Sequence, residues 1–572
     1  MYTQDISKIA CSPFEVKNAN VNYNKNKIID KLNQARKDRL DLLIFSEYCL
    51  TGNCGGFFKR KEIQSAQESA IIEIIDASRD LKTIIALNAN ILVDDIIHSV
   101  ILLIENKTII GCIVNDDIEY KTFNYANQQV AVYLHKFYSK EIKKSISFFC
   151  GQSFSQKKYF DNISDINCIL TSEAEYASRN KNYVDKYIKI FEKNDTINIL
   201  CNLDGDSVTN NVFTGKSFVS KGGAIAQISN DYFCVDLNDI KTKKLDNKPV
   251  TSNTKPWHYE NQEKDIFTLQ ALALERRLKH IGANGFALGI SGGLDSSYAL
   301  LVCAQAAKNI GLSTECINAI SMPGMGTSSR TKNNAKMLCE ALNVTFREIP
   351  IKESIVQHFK DIDYDINDHS VTFENAQARE RTQILFDISN ALNLLFVGTG
   401  DLSEIALGWC TFGGDHMAQY NINSSLLKSQ IRSCAFENSK RFKNAHDIIK
   451  DIIDTPVSPE LLPVNQDGTI AQITENSIGP YELQDYFIYS FFENAMAVDE
   501  IIKSAKELFN QQYTDSELKY YLSLLIKRFF FSAFKRNCAP EGANITGLSL
   551  TNEKYKIVSD SSPSVFLDMI NA

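Results

Sequence analysis

Residues 291–297 read SGGLDSS, and these residue types at this spacing could bind a phosphate group. The two glycines let the backbone pack closely against an anion, and successive amides at the start of a helix would donate to it. Ser291 and Ser296 add hydroxyl donors, while Asp295 could hold a Mg2+ that bridges phosphate oxygens. A simpler interpretation is a tight strand-to-helix turn in which serine and aspartate cap the helix. The segment therefore indicates either nucleotide-phosphate chemistry or an ordinary turn.

The elements around this loop predict a parallel sheet. A strand runs into the loop, a largely apolar helix leaves it, and further strands alternate with helices. Strands separated by helices of this length form parallel sheets covered by helices. A helix over 267–280 precedes the first strand, and a helical tail follows Tyr481. The strands are expected over residues 285–290, 315–321, 344–351 and 394–397.

The first part of the chain, up to about residue 234, has short apolar runs that alternate with amphipathic stretches. Helices are expected over 26–39 and 67–78, where apolar residues recur at helical spacing. Strands are expected over residues 8–11, 41–45, 83–88, 99–104, 109–114 and 166–170. Residues 236–264 are rich in Asp, Lys, Asn, Thr and Pro and lack periodicity. We therefore expect a domain over 1–235, a linker over 236–264 and a second domain over 265–572.

Composition excludes several classes of protein. The 572 residues, at about 100–200 per domain, require at least two domains. With 44% apolar and 23% charged residues, the chain is globular rather than disordered. The formal charge of -8 argues against binding nucleic acid or an anionic membrane. The 14 cysteines contain no C-x-x-C pair, which favours reduced thiols over disulfides or zinc.

Neither a secretory signal nor an apolar stretch of about 18 residues is recognisable, so we expect a soluble, cytoplasmic protein.

The phosphate loop resembles that of the ATP pyrophosphatase superfamily, whose members cleave ATP to AMP and pyrophosphate. Six further segments narrow the resemblance: TFENAQARER, GTGDLSEIALGWCTF, DHMAQYNIN, DTPVSPELLP, IGPYELQD and FKRN. Together with the loop they are similar to the synthetase domain of glutamine-dependent NAD synthetases, over about residues 260–565. The resemblance implies a Rossmann-like parallel sheet of the ATP pyrophosphatase type.

In that family, the nicotinate carboxylate of deamido-NAD attacks the α-phosphorus of ATP, and ammonia then displaces AMP from the adenylate. The resemblance implies that ATP, as cosubstrate, is bound by Gly289, Ile290, Ser291, Gly292, Gly293, Leu294, Asp295, Ser296 and Thr399. It implies that deamido-NAD contacts Asn375, Arg379, Glu404, Trp409, Cys410, Thr411, Phe412, Asp415 and Lys535. It assigns Mg2+ to Asp295 and Glu404. It also makes Lys428 a further candidate residue of the substrate site.

Each of these assignments has a simpler alternative. Asp401-x-x-Glu404 is also a capping box at the start of a helix. Trp409 could be an ordinary core residue, and Lys535 could lie on a solvated face.

The first half resembles the nitrilase-type amidases, which have a four-layer αββα sandwich and a Cys, Glu and Lys that form and stabilise a thioester. Glu47 in FSEYCLTG matches the base, and Cys150 in SFFCGQ matches the nucleophile. Asn115 occupies the position expected for the lysine, so Lys121 is the candidate for that role. Gly151 follows Cys150 where the family has an acidic residue.

Two interpretations of this domain stay open. It is either a working amidase with an unusual lysine or a catalytically silent domain.

The resemblance implies an NAD synthase that takes ammonia from glutamine hydrolysed in the first domain. The alternatives are an ammonia-dependent synthase with a silent first domain, another pyrophosphatase-type amidotransferase making GMP or asparagine, and a non-catalytic nucleotide sensor or scaffold. The expected partners are deamido-NAD, ATP, and glutamine or ammonia, with neither nucleic acid nor membrane. The family also implies a homo-oligomer built on the synthetase domain.

Overall fold

The computed structural model describes most of the chain and divides it into two compact units. The first unit comprises Met1–Glu175 and Lys181–Pro249, and the second comprises Tyr176–Asn180 and Val250–Ala572. The described residues are 6–93, 96–114, 121–137, 144–151, 154–178, 182–205, 210–244, 255–258, 261–455, 461–462, 474–551, 555 and 561–571. Asn115 and Gln152, which matter for the predicted amidase site, lie outside them.

The first unit is built mainly of strands. Its strands are β1 (Lys8–Cys11), β2 (Glu15–Val16), β3 (Leu42–Ile44), β4 (Ile84–Val93), β5 (Ile96–Glu105), β6 (Thr108–Val114), β7 (Thr122–Tyr125), β8 (Gln128–Leu134), β9 (Lys136–Phe137), β10 (Ile146–Cys150), β11 (Ile166–Thr171), β12 (Ile197–Asn202), β13 (Asp204–Gly205), β14 (Phe213–Thr214), β15 (Ser217–Lys221), β16 (Ala224–Ser229) and β17 (Phe233–Asp236). Its helices are α1 (Val21–Asp38), α2 (Lys61–Ala77), α3 (Gln156–Asp161) and α4 (Tyr183–Phe191).

These elements form four layers. The strand order is β17-β1-β3-β4-β5-β6-β8-β7 in one sheet and β16-β15-β12-β11-β10-β9 in the other. One apolar cluster joins the facing sides of the two sheets, including Ile101 of β5 and Phe148 of β10. A second cluster packs α1 and α2 on the outer side of the first sheet, and a third packs α3 and α4 on the second sheet. The predicted αββα sandwich is confirmed.

Local sequence explains α1. Asn20 caps the helix by accepting the amide of Tyr23, and buried residues at 21, 24, 25, 28, 32 and 35 follow the helical period. The strand predicted over 83–88 is longer than expected, because β4 pairs antiparallel with β5 from Ile85 up to Val93. Asn88 and Asn90 had interrupted the apolar pattern in the sequence. Their side chains face inward in this unit and are buried.

The second unit alternates strands with helices around one sheet. Its elements are α5 (Glu263–Ile281), β18 (Gly285–Gly289), α6 (Leu294–Asn309), β19 (Ile317–Ser321), α7 (Ser329–Leu342), β20 (Thr345–Glu348), α8 (Lys352–Asp361), α9 (Val371–Leu392), β21 (Leu394–Gly398), α10 (Leu402–Leu407), β22 (Tyr420–Asn421), α11 (Lys428–Ser439), α12 (His446–Ile453), α13 (Thr474–Ile478), α14 (Tyr481–Ile488), α15 (Val498–Leu508), α16 (Asp515–Phe531), α17 (Ala533–Asn537) and a final helix Ser564–Asn571.

The sheet of the second unit has the order β20-β19-β18-β21-β22, and every pairing is parallel. The chain adds β19 and β20 on one side of β18 and then returns to add β21 on the other side. Ligands bind at such a reversal of strand order, just beyond the carboxyl ends of the strands. The predicted Rossmann-like sheet is confirmed, and its topology points to the loops after β18 and β21.

The segment expected to be a linker contributes to the core of the second unit. Trp257 is fully buried, its ring lies 5.0 Å from that of Tyr486, and its carbonyl accepts a hydrogen bond from Gln430. The polar residues around Trp257 in the sequence gave no indication that its side chain would be buried. Of the expected linker, residues 245–254 and 259–260 lie outside the described ranges.

All fourteen cysteines lie in described residues and are free thiols, and Cys538 is the exposed one. Within the described part of the chain, none of the helices is long and apolar enough to cross a bilayer.

Candidate functional site

The SGGLDSS loop leads from β18 into α6, as the sequence predicts. Gly293 is the N-cap of α6, so the first free amides of the helix open toward the loop. Gly292 has φ +84°, and a Cβ at this position would collide with the backbone carbonyl of Thr331. Ser291 Oγ accepts the amide of Gly293 at 3.2 Å and lies 3.1 Å from Ser296 Oγ. These contacts give the loop the close backbone approach and the donors that an anion needs.

Three carboxylates meet beside this loop. Asp295 lies in the first turn of α6, while Asp401 and Glu404 belong to the start of α10, which follows β21. Since β18 and β21 are parallel neighbours, their carboxyl ends lie at the same edge of the sheet. Oxygen atoms of the three side chains lie within 4.8 Å of one another.

The ammonium of Lys428, the first residue of α11, lies among these carboxylates. Its Nζ is 2.7 Å from Asp295 Oδ2, 2.7 Å from Asp401 Oδ2 and 3.0 Å from Glu404 Oε1. The Lys428 side chain is only 4% exposed. Although burial alone would lower it, the three carboxylates together raise the pKa of Lys428 well above its ordinary value. Lys428 is therefore a permanently charged cation at the centre of the cluster.

The cluster contains more acidic groups than basic ones. Three carboxyl groups face the single ammonium of Lys428, so their full ionisation would leave an excess of negative charge. Burial raises the pKa of Asp401 to about 6, and burial with the neighbouring carboxylates raises the pKa of Glu404 well above its ordinary value. Asp295 Oδ1 is buried without a hydrogen-bond partner. Oxygen ligands with uncompensated negative charge fit a hard divalent cation such as Mg2+.

The capping box and the cluster use different atoms of the same residues. Asp401 Oδ1 accepts the amide of Glu404 at 2.7 Å, and Glu404 Oε2 accepts the amide of Asp401 at 3.3 Å. Oε1 of Glu404 faces Lys428. The two sequence interpretations of Glu404 are therefore compatible. Sequence reasoning missed Asp401 as a member of the cluster, because the D-x-x-E spacing already had a local explanation.

A cavity of about 690 Å³ opens at this edge of the sheet and brings most of the predicted residues together. From the expected ATP site it is lined by Gly289, Ile290, Ser291, Gly292, Gly293, Leu294, Asp295, Ser296 and Thr399. From the expected deamido-NAD site it is lined by Asn375, Glu404, Trp409, Cys410, Thr411, Phe412, Asp415 and Lys535. Such a volume suits a ligand of nucleotide size.

Side chains across the cavity hold the segment 409–412 in place. Lys535 Nζ donates to the carbonyls of Gly408 at 2.9 Å and Cys410 at 2.6 Å. The guanidinium of Arg528 lies 5.0 Å from the ring centre of Trp409. Lys535 and Trp409 are therefore part of an organised wall rather than a solvated face or an apolar core.

Hydrogen bonds fix the opposite end of this wall. Thr411 Oγ1 donates to Asn375 Oδ1 at 2.9 Å, and the Thr411 amide donates to Asp415 Oδ1 at 2.6 Å. Burial raises the pKa of Asp415. Phe412 is 41% exposed and lies 5.2 Å from the ring of Phe534, which leaves an aromatic surface at the cavity mouth.

Arg379 lies beside the cavity rather than on its lining. Its Nε donates to the carbonyl of Phe412 at 3.2 Å. The lining face of α9 instead includes Arg381, because residues 371, 374, 375, 378, 381, 382 and 385 follow the helical period. Counting that period from Asn375 could have found Arg381 in the sequence.

The first unit holds a separate constellation around Cys150. Cys150 ends β10 and Glu47 follows β3, and both are fully buried. Burial first, and then the Glu47 carboxylate, raise the pKa of the Cys150 thiol. One side chain, Asn88, contacts both Cys150 Sγ at 3.7 Å and, at 2.9 Å, the amide of Tyr48, which follows Glu47. Ser172 Oγ donates to Glu47 Oε2 at 2.9 Å. A thiol beside a buried carboxylate is the pairing that a cysteine nucleophile and its base require.

Lys121 does not join this pair. It is exposed and directly precedes β7, the outermost strand of its sheet. Three strand spacings, roughly 14 Å, separate β7 from β5. Ser99 on β5 contacts Cys150 Sγ at 3.8 Å, so the thiol lies close to β5. The side chain of a lysine next to β7 is too short to reach it.

Comparisons with known proteins agree with this architecture. Residues 267–523 match the family model described as NAD synthase. A glutamine-dependent NAD(+) synthetase from Mycobacterium leprae is 32% identical over 54% of this chain, and this chain spans about half, 49%, of that relative's length. An NH(3)-dependent NAD(+) synthetase from Fusobacterium nucleatum is 29% identical over 46% of this chain and 89% of its own.

A solved structure of a glutamine-dependent NAD(+) synthetase from Cytophaga hutchinsonii has the same fold. Its TM-score is 0.80 at 16% identity, and the alignment covers 99% of this chain and 100% of that one. The fold shared with that enzyme thus extends over nearly the whole chain, and residues 267–523 are homologous to the NAD synthases.

Proposed function

We propose that this chain is an NAD synthase, which amidates deamido-NAD to NAD and converts ATP to AMP and pyrophosphate. The observation that carries the proposal is the single cavity that joins the phosphate loop, the carboxylate cluster and the wall of residues 409–412. A phosphate site alone would suit many nucleotide enzymes. Residues 409–412, which line the same cavity beside the loop, support a reaction between two molecules bound next to each other.

The chain's own residues would bind and orient the two substrates. The amides of the loop and the start of α6 would receive the ATP phosphates. Lys428 would stabilise negative charge that develops on the departing pyrophosphate. The wall around Trp409 and Phe412 would hold the nicotinate ring so that its carboxylate faces the α-phosphorus. Attack gives an adenylate, from which ammonia displaces AMP.

We propose Mg2+ as the metal of this site. Asp295 and Glu404 would hold it, with Asp401 as a third oxygen ligand, and their uncompensated charge supports this assignment. The ion would supply electrostatic stabilisation of charge on the phosphate oxygens.

We propose glutamine as the nitrogen source, hydrolysed by Cys150 and Glu47 in the first unit. The support is the buried thiol beside a buried carboxylate and the αββα fold expected for amidases. The names of relatives such as the Mycobacterium leprae enzyme support the same donor. An ammonia-dependent synthase is the second candidate, and the position of Lys121 at the edge of its sheet favours it.

A homo-oligomer built on the second unit and a cytoplasmic location follow from the family resemblance and are part of the proposal.

The test is a product balance. Purified protein with deamido-NAD, ATP, Mg2+ and ammonium should release NAD, AMP and pyrophosphate in equal amounts. Release of ADP and phosphate would contradict an adenylate mechanism. Replacing deamido-NAD by xanthosine monophosphate or aspartate tests the other amidotransferases, and we expect neither to be amidated.

A further inference from the structure

Two neighbouring strands of the first unit each change from apolar to polar on the side that faces the second sheet, β4 at Asn88 and β5 at Ser99, which lies opposite Asn90. On β4, the side chains that face the second sheet are Ile84 and Ala86, and the alternation continues with Asn88. On β5, the corresponding face has Leu103 and Ile101 and continues with Ser99. Packing between two sheets does not require polar residues there. The change occurs where both strands approach Cys150.

Asn88 connects several groups around the thiol. Its Nδ2 lies within donor distance of Cys150 Sγ at 3.7 Å, Ser99 Oγ at 3.0 Å and the carbonyl of Val100 at 3.0 Å. Ser99 Oγ in turn lies 3.8 Å from Cys150 Sγ. Asn88 is 1% exposed, and a buried amide is tolerated only when it is hydrogen-bonded.

The other end of the same amide holds the backbone beside the base. Asn88 Oδ1 accepts the amide of Tyr48 at 2.9 Å, and Tyr48 directly follows Glu47. Tyr48 has φ +57°, in the left-handed region that a bulky residue rarely adopts. Such a conformation persists only where the surroundings hold it. One side chain therefore links the turn that carries Glu47 to the sulfur of Cys150.

We propose that Asn88 is a positioning residue of the amidase centre, which sets the geometry between the Cys150 nucleophile and the Glu47 base and donates toward the sulfur. The proposal rests on the proposed use of glutamine. In that reaction the sulfur bonds to the carboxamide carbon and the C–N bond breaks. The thiol proton passes through Glu47 to the departing ammonia, and water then cleaves the thioester to glutamate.

The groups around the thiol have opposing effects. Burial and Glu47 raise the pKa of Cys150, while the contacts from Ser99 and Asn88 lower it. Asn88→Asp keeps the size of the side chain and the acceptor for the Tyr48 amide. It removes the donor and adds negative charge beside the sulfur, so it should disfavour the thiolate.

A matched control is available in the same unit. Asn167 on β11 is also fully buried and bonds with Ser164, Thr196 and Asn198. It lies away from the end of β11, where Leu170 pairs with Cys150. Asn167→Asp makes the same chemical change in a structural network, without contact to the thiol.

The experiment measures NAD formation with glutamine and with ammonium, and the rate at which iodoacetamide modifies Cys150 as a function of pH, read on the Cys150 peptide by mass spectrometry. For Asn88→Asp we expect kcat with glutamine to fall at least about tenfold, while ammonium-supported synthesis stays within about twofold. Between pH 7 and 9, the rate of Cys150 modification should be about tenfold lower in Asn88→Asp, which corresponds to a thiol pKa about one unit higher, and Asn167→Asp should leave this rate unchanged.

An unchanged modification rate in Asn88→Asp, or a fall of the same size in Asn167→Asp, would overturn the role of Asn88. Absence of glutamate release by the unsubstituted protein would contradict glutamine use instead, and the modification profile would still decide the role of Asn88.

Discussion

Lys428 gives the carboxylate cluster a resident positive charge. Without it, Asp295, Asp401 and Glu404 would repel one another strongly in a site this buried. With it, the three side chains stay assembled around one cation in the free protein. A lysine can hold the geometry of a cation site before the nucleotide arrives, and an incoming divalent ion would favour the ionised form of the carboxyl groups.

Asp295→Asn should slow ammonium-supported NAD synthesis by roughly 100-fold, because it removes a charged ligand next to the transferring phosphorus. Asp447→Asn is the matched control, since Asp447 also lies in the first turn of a helix, is exposed and does not line the cavity. Rates of AMP and NAD release check the prediction. A loss of less than about threefold would mean that Asp295 is only a helix cap.

Glu404→Gln separates the two roles of Glu404. Glutamine keeps an oxygen that can accept the Asp401 amide, so the melting temperature should change by no more than about 2 °C. It removes the charge that faces Lys428, so synthesis should fall roughly 100-fold. Thermal unfolding and NAD release are measured on the same preparation. Lower stability with normal turnover would support the capping role alone.

At the scale of elements, Asp485 on α14 ties α10 to α11. Its Oδ1 accepts from Ser403 Oγ at 2.5 Å, and its Oδ2 accepts the amide of Ser429 at 2.8 Å. Ser403 Oγ also accepts the amide of Lys428 at 3.0 Å. The starts of the two helices that carry Glu404 and Lys428 are therefore fixed to each other by one buried carboxylate.

This arrangement predicts a pH dependence of stability. Burial raises the pKa of Asp485 to about 7, above the value of about 3.9 in an unfolded chain. Between these values the folded state holds a proton that the unfolded state does not. The stabilisation is therefore complete at low pH and is lost as the pH rises through about 7. The free energy of unfolding of the second unit should fall from pH 5 to 8.

Asp485→Asn should remove on the order of 3 kcal/mol of that fall, since a neutral amide does not titrate. Asp401, whose pKa burial raises to about 6, changes stability in the same direction and remains in the variant. Unfolding is followed across this pH range, and the relevant transition is the one that ATP raises. Equal slopes in both proteins would contradict the assignment.

Local patterns predicted the elements better than they predicted the contacts between them. The SGGLDSS loop and the parallel sheet follow from spacing and periodicity within a few residues. Asp401 was missed because its contact with Asp295 joins two strand ends that only the sheet brings together. Asn88 was missed because the role of a polar residue in an apolar strand cannot be inferred until the facing strand, with Cys150, is known.

At the scale of the whole molecule, the activities proposed for the two units can be tested separately. Cys150→Ala should abolish glutamine-supported NAD synthesis and leave ammonium-supported synthesis within about twofold, because the thiol lies in the first unit and the cavity in the second. Lys121→Ala should leave both activities within about twofold, given its exposed position at the edge of its sheet. Comparable loss with both nitrogen sources after Cys150→Ala would indicate a structural defect, and glutamine use that persists would exclude Cys150 as the nucleophile.

The distribution of thiols leaves one cysteine, Cys538, accessible for labelling with a fluorescent dye. Cys538 follows α17 directly and lies three residues from Lys535. As the one exposed thiol among the fourteen, it should react first with a limiting amount of a fluorescent maleimide. A dye at this position would sit close to the wall formed by residues 409–412. Its emission could then follow the arrival and departure of the acceptor nucleotide in the native sequence, without any substitution.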